Sequence, residues 1–118
     1  HVALTPQTRN LLGAEQINMM KPGAVLVNTA RGGLVDEEAL GAALSDGRVY
    51  AAGFDVFERE PVPQDNELLS HSNVVVAPHI GSATSLTRAR MADIAADNAI
   101  AALKGQRMGH CVNPHVYD

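Results

Sequence analysis

Three short apolar runs alternate along the chain with longer segments whose apolar residues recur at helical spacing. The runs cover Ala24–Asn28, Val49–Phe54 and 73–77, and polar residues with glycine or proline follow each of them. Continuous apolar runs of this length are typical of strands in a parallel sheet, and we expect both faces of these strands to be covered. Strands that alternate with helices predict an α/β fold with a parallel sheet and flanking helices.

Two segments between and after these runs carry the start and stop signals of helices. The first covers 37–45, where Asp36 is a natural N-cap and Gly47 suits a left-handed stop. The second covers 84–104, is rich in alanine, and ends at Gly105. Three further predictions are the end of a strand over 1–4, a helix over 8–20 and an irregular tail over 106–118.

Polar residues that could carry chemistry stand just beyond the predicted strands. Arg31 follows the first strand, Asp55 and Glu60 follow the second, and His79 follows the third. Because the carboxyl ends of parallel strands meet at one edge of a sheet, we expect these side chains to converge. In open α/β sheets this edge is where ligands bind.

The residue types at this edge suit an anionic substrate that gains or loses a proton. Arginine grips a carboxylate with a planar fork, and histidine is the commonest general acid or base. A carboxylate beside a histidine stabilises the protonated imidazole.

Each of these residues also has a plainer, structural interpretation. Arg31 could cap helix carbonyls or pair with Asp36, Asp55 could form a turn, Glu60 could be a solvated loop residue, and His79 could be structural.

Composition excludes several other classes of function. The net charge is −4 and aromatic residues make up 3% of the 118 residues, so nucleic acid is not an expected partner. No apolar run reaches membrane-spanning length, so a membrane is not expected either. A metal site is not expected with one cysteine, Cys111, and that lone thiol fits a cytoplasmic protein. The start at His1, without methionine, suggests an excised piece of a longer protein.

Four segments resemble signatures of the D-isomer-specific 2-hydroxyacid dehydrogenases. They are VNTARGGLVDEEAL at 27–40, AAGFDVFEREP at 51–61, VVVAPHIGSAT at 74–84 and HVALTPQTRNLL at 1–12. The last of these has Ala3 where the family usually has proline. The resemblance covers essentially the whole chain, and the order and separation of the segments match the family.

The resemblance implies a protein of two Rossmann-like domains, one for the dinucleotide and one for the substrate. This chain resembles the second half of the dinucleotide-binding domain over 1–104, with 105–118 leading back towards the substrate domain. The implied cofactor is NAD or NADP, and the residues that choose between them are expected before His1. The full-length protein is expected to be a homodimer.

The resemblance also implies a role for each strand-end residue. Arg31 would bind the substrate carboxylate, His79 would exchange a proton with the substrate oxygen, and Glu60 would pair with His79. Asp55 would contact the carboxamide of the nicotinamide. The residues implied to line the cofactor are Thr29, Ala30, Arg31, Asp55, His79 and Gly81, with His1 and Thr5 nearby.

The implied activity is hydride transfer between nicotinamide and a small D-2-hydroxy acid or 2-keto acid. Within the family, the segments at 52–57 and 77–84 look most like glyoxylate/hydroxypyruvate reductases, with phosphoglycerate dehydrogenases next. Formate dehydrogenases usually carry glutamine where Glu60 stands and are disfavoured. Two alternatives remain open. One is a non-catalytic, dinucleotide-binding regulator of the corepressor type, and the other is an inactive truncated module.

Overall fold

The computed structural model describes all 118 residues and divides into two compact units, His1–Gly81 and Ser82–Asp118. The first unit is built on a parallel sheet of three strands in the order β1-β2-β3. The strands are β1 (Ala24–Asn28), β2 (Val49–Phe54) and β3 (Val74–Val76). The predicted α/β fold with a parallel sheet is therefore confirmed.

Helix α2 (Glu37–Ser45) has the predicted bounds because the sequence supplies both of its ends. The side chain of Asp36 accepts a hydrogen bond from the backbone N–H of Ala39 at 3.0 Å. Gly47, just past the last turn, has a φ of 78°, which favours glycine. A short helix, α1 (Ala14–Asn18), precedes the sheet, and a 3₁₀ turn covers Glu67–Ser70.

The core of this unit lies where α2 and the 3₁₀ turn pack against the sheet. Leu40 of α2, Val49 of β2 and Leu68 of the 3₁₀ turn are fully buried. Full burial of a side chain of this size contributes about 1.5–3 kcal/mol relative to leaving it exposed. The core therefore fixes one face of the sheet, and with it the positions of the strand ends.

The prediction that both faces of the strands are covered is wrong for this chain. Leu26 of β1 is buried, but Val25 and Val27 are 59% and 65% exposed on the other face. Val75 of β3 is 74% exposed, so the third strand is not buried as its apolar run suggests. The alternating exposure along β1 shows that α2 and the 3₁₀ turn cover only one face in this chain.

The predictions for the first twenty residues are wrong in part. Residues 1–4 form no strand, and the helix predicted over 8–20 is reduced to α1. Leu12 is extended, because its N–H donates to the Leu34 carbonyl and its own carbonyl accepts from the N–H of Asp36, both at 3.0 Å. Pairing with the segment after β1 thus replaces the first helical turns.

The second unit contains helix α3 (Ser85–Leu103), which agrees with the predicted helix to within a residue at each end. The side chain of Thr84 caps it by accepting from the N–H of Thr87 at 3.1 Å. The tail is irregular, as predicted, apart from a 3₁₀ turn over Pro114–Tyr117. The Asn98 amide bonds both backbone groups of His110 and so ties the tail to α3. The division of the whole protein into residues 1–104 and 105–118 stays a prediction.

None of the helices combines the length and the apolar character that crossing a membrane requires.

Candidate active site

Two loops bring Glu60 and His79 into direct contact at the carboxyl edge of the sheet. Oε2 of Glu60 lies 2.7 Å from Nδ1 of His79. Oε1 of Glu60 accepts the backbone N–H of Phe57 at 3.0 Å, within the same loop. One carboxylate oxygen therefore orients Glu60, and the other is free to pair with the imidazole.

The contacts of Glu60 favour its ionised form. The hydrogen bond to His79 holds the pKa of Glu60 below its ordinary value of 4.5, and the N–H of Phe57 acts in the same direction. Desolvation and the nearby Asp55 carboxylate oppose this lowering of the pKa but are outweighed. Glu60 is thus a carboxylate at neutral pH, and one of its oxygens faces the imidazole of His79.

The loop that carries His79 is held by Asp55, which is only 7% exposed. Its Oδ1 accepts the N–H of Ile80 at 2.8 Å, and its Oδ2 accepts the N–H of Gly81 at 2.9 Å. Between these anchors and β3, His79 adopts a φ of 53°, in the left-handed region that L-residues seldom occupy. Strained backbone of this kind persists only where surrounding contacts enforce it and is concentrated at functional sites.

Arg31 stands on a separate turn shaped by Asn28, the last residue of β1. Asn28 is buried, its Oδ1 accepts the N–H of Ala30 at 3.1 Å, and its Nδ2 donates to the Arg31 carbonyl at 2.9 Å. The exposed guanidinium donates to the Ala30 carbonyl at 2.6 Å. Pairing with Asp36, an open alternative, does not occur, because Asp36 caps α2.

Arg31 makes no hydrogen bond to Glu60 or His79, so the structure brings together only part of the predicted site. Arg31 lines an open cavity of about 580 Å³ with Thr29, Ala30 and the segment 1–4. Glu60 and His79 line a second cavity of about 520 Å³, whose other walls are largely apolar. The first cavity therefore presents the cation of Arg31, and the second presents the Glu60–His79 pair.

The first cavity fits part of a dinucleotide in size and in position. Its volume falls within the range of small-molecule sites, and it lies beyond the carboxyl end of a parallel strand, where such cofactors bind. Thr29, Ala30 and Arg31 line it, as the resemblance implies for the cofactor. Gly81 lies on the His79 loop, and a Cβ there would come within 3.3 Å of Asp55. The roles of all these residues towards a cofactor stay predictions.

Sequence reasoning missed two residues that shape the site, Asn28 and Glu37. Both side chains bind the backbone of a site loop, Asn28 through the turn of Arg31 and Glu37 through the N–H of Glu58 at 2.7 Å. An asparagine at the end of an apolar strand was the available signal for the first. Nothing local in the sequence indicates the second, whose partner is 21 residues away.

The structure contains no cluster of three or more His, Cys, Asp or Glu side chains that could hold a metal ion.

The fold and the chemistry at its strand ends define an α/β domain of the dinucleotide-binding type. Residues 1–81 match the NAD-binding domain of the D-isomer specific 2-hydroxyacid dehydrogenases. The matched residues coincide with the first compact unit. The chain belongs to this family.

Relatives of known name include reductases of small keto acids. Glyoxylate/hydroxypyruvate reductase B from Enterobacter agglomerans is 58% identical over 113 residues, which cover 96% of this chain and 35% of the relative. The crystal structure of the TT0316 protein from Thermus thermophilus superposes with a TM-score of 0.88 at 48% identity, covering 95% of this chain and 36% of that one. The NADPH-dependent glyoxylate/hydroxypyruvate reductase from Sinorhizobium meliloti, in complex with NADP and malonate, has a TM-score of 0.78 at 44% identity, covering 85% and 31%.

The chain spans about a third of the length of the curated relatives it matches. The similarity therefore establishes the family and the fold. The corepressor-type regulator is not favoured, because two of the relatives named above, from Enterobacter agglomerans and Sinorhizobium meliloti, are reductases.

Proposed function

We propose that the protein carrying this chain is an NAD(P)-dependent reductase of a small 2-keto acid, such as glyoxylate or hydroxypyruvate. The observation that carries the proposal is the 2.7 Å contact between Glu60 and His79 at the carboxyl edge of the sheet. A histidine backed by an ionised carboxylate suits general acid catalysis, since the carboxylate stabilises the charged ring that must give up its proton.

His79 acts through its second ring nitrogen. Nδ1 is bound by Glu60, so Nε2 is the atom that would donate a proton to the carbonyl oxygen during reduction and recover it during oxidation. The positive φ of His79 and the two hydrogen bonds to Asp55 fix the loop from which the ring projects. Nicotinamide, when bound, would supply the hydride to the C2 carbon of the keto acid.

Arg31 binds the carboxylate of the substrate. Its guanidinium is exposed, its backbone is fixed by Asn28, and its only hydrogen bond from the side chain is to the Ala30 carbonyl. The planar fork can therefore turn to a carboxylate and bind it with two parallel hydrogen bonds. Thr29, Ala30 and Gly81 would contact the cofactor beside it, and Asp55 would contact the nicotinamide carboxamide while it holds the His79 loop.

The named relatives support this substrate class and cofactor. The glyoxylate/hydroxypyruvate reductase from Enterobacter agglomerans is 58% identical to this chain in sequence. The one from Sinorhizobium meliloti, whose structure is solved, is 44% identical to this chain. The latter is described as NADPH-dependent and is bound to NADP and to malonate, a small dicarboxylate. Other structural neighbours are bound to NAD⁺ or NADPH, so NAD and NADP both remain candidate cofactors.

The test is oxidation of NADH and NADPH with glyoxylate and hydroxypyruvate by the complete protein that carries this sequence. Arg31→Lys should lower kcat/KM for either keto acid by about tenfold or more, since a hydrogen bond to a charged group contributes about 1.5–3 kcal/mol. Arg90→Lys on α3, exposed and without a side-chain hydrogen bond, is the matched control. If neither cofactor is oxidised with either keto acid, the proposal is overturned. Activity of the 118-residue chain alone would exclude the alternative that the chain is an inactive truncated module.

A homodimer in the cytoplasm completes the proposal. Cys111 is a free thiol, which fits a reducing compartment. Light scattering of the complete protein gives its mass in solution, and a monomer at working concentration would contradict the dimer.

A further inference from the structure

One carboxylate, that of Glu37, binds both ends of the loop that carries Glu60. Glu37 is the first residue of α2 and half-buried. Its Oε1 accepts the backbone N–H of Glu58 at 2.7 Å, and its Oε2 accepts the side-chain amide of Asn66 at 2.9 Å. The loop 58–66 is therefore closed by a single side chain that projects from a different element.

Each end of this loop is in turn linked to something rigid. Asn66 uses its Oδ1 to accept the N–H of Leu68 at 3.0 Å, and Leu68 is fully buried in the core. Glu58 follows Phe57 directly, and the N–H of Phe57 orients the Glu60 carboxylate. The contact of Glu37 with the Glu58 N–H thus lies one peptide from the group that aims Glu60 at His79.

Other contacts alone hold the loop less firmly. Arg9 pairs with the Glu58 carboxylate at 2.6 Å, but both side chains are more than half exposed, and such pairs contribute little. Gly32 packs against the Phe57 carbonyl so closely that a Cβ at residue 32 would overlap it. This packing limits where Phe57 can go but does not fix the direction of its N–H.

We propose that Glu37 is a positioning residue for the Glu60–His79 pair, acting through the Glu58 N–H and Asn66. Glu37 touches neither the proposed substrate nor the reacting atoms. The kinetic part of the inference rests on the proposed function, whereas the structural part concerns the loop alone. The charged groups near Glu60 are His79 and Asp55, and Glu37 acts on Glu60 by geometry.

The contact between Glu37 and Asn66 permits an exchange of donor and acceptor. In Glu37→Gln, Oε1 can still accept the Glu58 N–H, but the new amide faces the amide of Asn66, and two donors then oppose each other. In Asn66→Asp, the new oxygen faces the Glu37 carboxylate, and two acceptors oppose each other. In the double variant, the introduced glutamine amide donates to the introduced aspartate carboxylate, while both backbone contacts are retained.

The experiment compares the wild type, both single variants and the double variant of the complete protein. The readouts are kcat for keto-acid reduction and the carboxyl titration of Glu60 by ¹³C NMR. Each single variant should lose about ten- to a hundredfold in kcat, with KM unchanged, because small displacements of a catalytic group are costly. In each, the pKa of Glu60 should rise towards its ordinary value. Glu38→Gln, with the same change of charge in the same helical turn but an exposed side chain, should alter neither readout.

The double variant decides the inference. Recovery of kcat and of the Glu60 titration supports it, including where a single variant fails to fold. A folded double variant with the losses of the singles overturns it, as do singles that match Glu38→Gln. If the wild type reduces no keto acid but the Glu60 titration still follows the pattern of loss and recovery, the proposed function fails and the positioning role of Glu37 stands.

Discussion

Asp55→Asn tests how strongly the His79 loop depends on one buried carboxylate. Both oxygens of Asp55 accept backbone N–H groups, from Ile80 at 2.8 Å and from Gly81 at 2.9 Å. Asparagine keeps the shape of the side chain but only one acceptor, so its amide must face one of the two donors. One charge-assisted hydrogen bond is lost and the other becomes neutral.

The expected loss follows from these two bonds. A hydrogen bond to a charged group contributes about 1.5–3 kcal/mol. Because Ile80 and Gly81 are exposed and water can bind the N–H that loses its partner, we expect a loss of about 2 kcal/mol in the free energy of unfolding. Urea unfolding at neutral pH measures it, with an unchanged denaturant slope as the sign that only stability has changed.

The control is Asp65→Asn, at an exposed carboxylate that accepts no hydrogen bond, and it should be near neutral. A loss for Asp55→Asn no larger than that of Asp65→Asn would refute the anchoring role of Asp55. A genuine loss of the anchor should also loosen the left-handed conformation of His79, since only one neutral hydrogen bond to residue 55 and the Glu60 contact would then hold it. We therefore expect kcat to fall together with stability.

Three further substitutions test other parts of the site in the complete protein. His79→Ala should lower kcat by about 10²–10⁴-fold and leave cofactor affinity unchanged in a fluorescence titration; weakened cofactor binding with normal turnover would contradict its role. Because the pKa of Glu60 lies below 4.5, its ionised form adds stability that is complete above pH 4.5 and is lost as the pH falls through the folded value. Glu60→Gln should therefore flatten the acid side of the stability–pH curve, and an unchanged curve would exclude this contribution. Gly32→Ala should cost about 1–3 kcal/mol in urea unfolding by overlap with the Phe57 carbonyl, whereas Gly109→Ala, in open space, should be neutral; equal losses would rule out the close contact.

The regular elements were predictable because their signals are local. Strands β1 and β2 and helices α2 and α3 follow from apolar runs, helical spacing and capping residues close to each end. The parallel arrangement follows from the alternation of strands and helices, and it places Asp55 and His79 at one edge of the sheet. The helical spacing of apolar residues over 8–20 predicted a helix whose first turns do not form, because Leu12 pairs with the segment after β1.

The shape of the site was beyond prediction from residue spacing. Glu60 and His79 are 19 residues apart, and Asp55 lies 25 residues before the N–H group of Ile80 that it accepts. Hydrogen bonds between a side chain and a distant backbone group leave no periodic pattern in a sequence. The direction in which Arg31 projects depends in the same way on Asn28, which the apolar pattern assigns only to the end of a strand.

The carboxylates at this edge differ in function because their partners differ. Asp55 gives both oxygens to the His79 loop, and Glu37 gives one to a backbone N–H and the other to Asn66, so both act on geometry. Glu60 gives one oxygen to the backbone N–H of Phe57 and the other to the ring of His79. Replacing each acid by its amide therefore separates the two effects. At Asp55 and Glu37 the amide opposes a fixed donor and displaces a loop, and at Glu60 it removes the charge that faces His79. Where the loop is displaced, the Glu60 carboxyl still titrates, but with a pKa closer to its ordinary value; in Glu60→Gln no carboxyl remains at that position and its acid-dependent contribution to stability is absent.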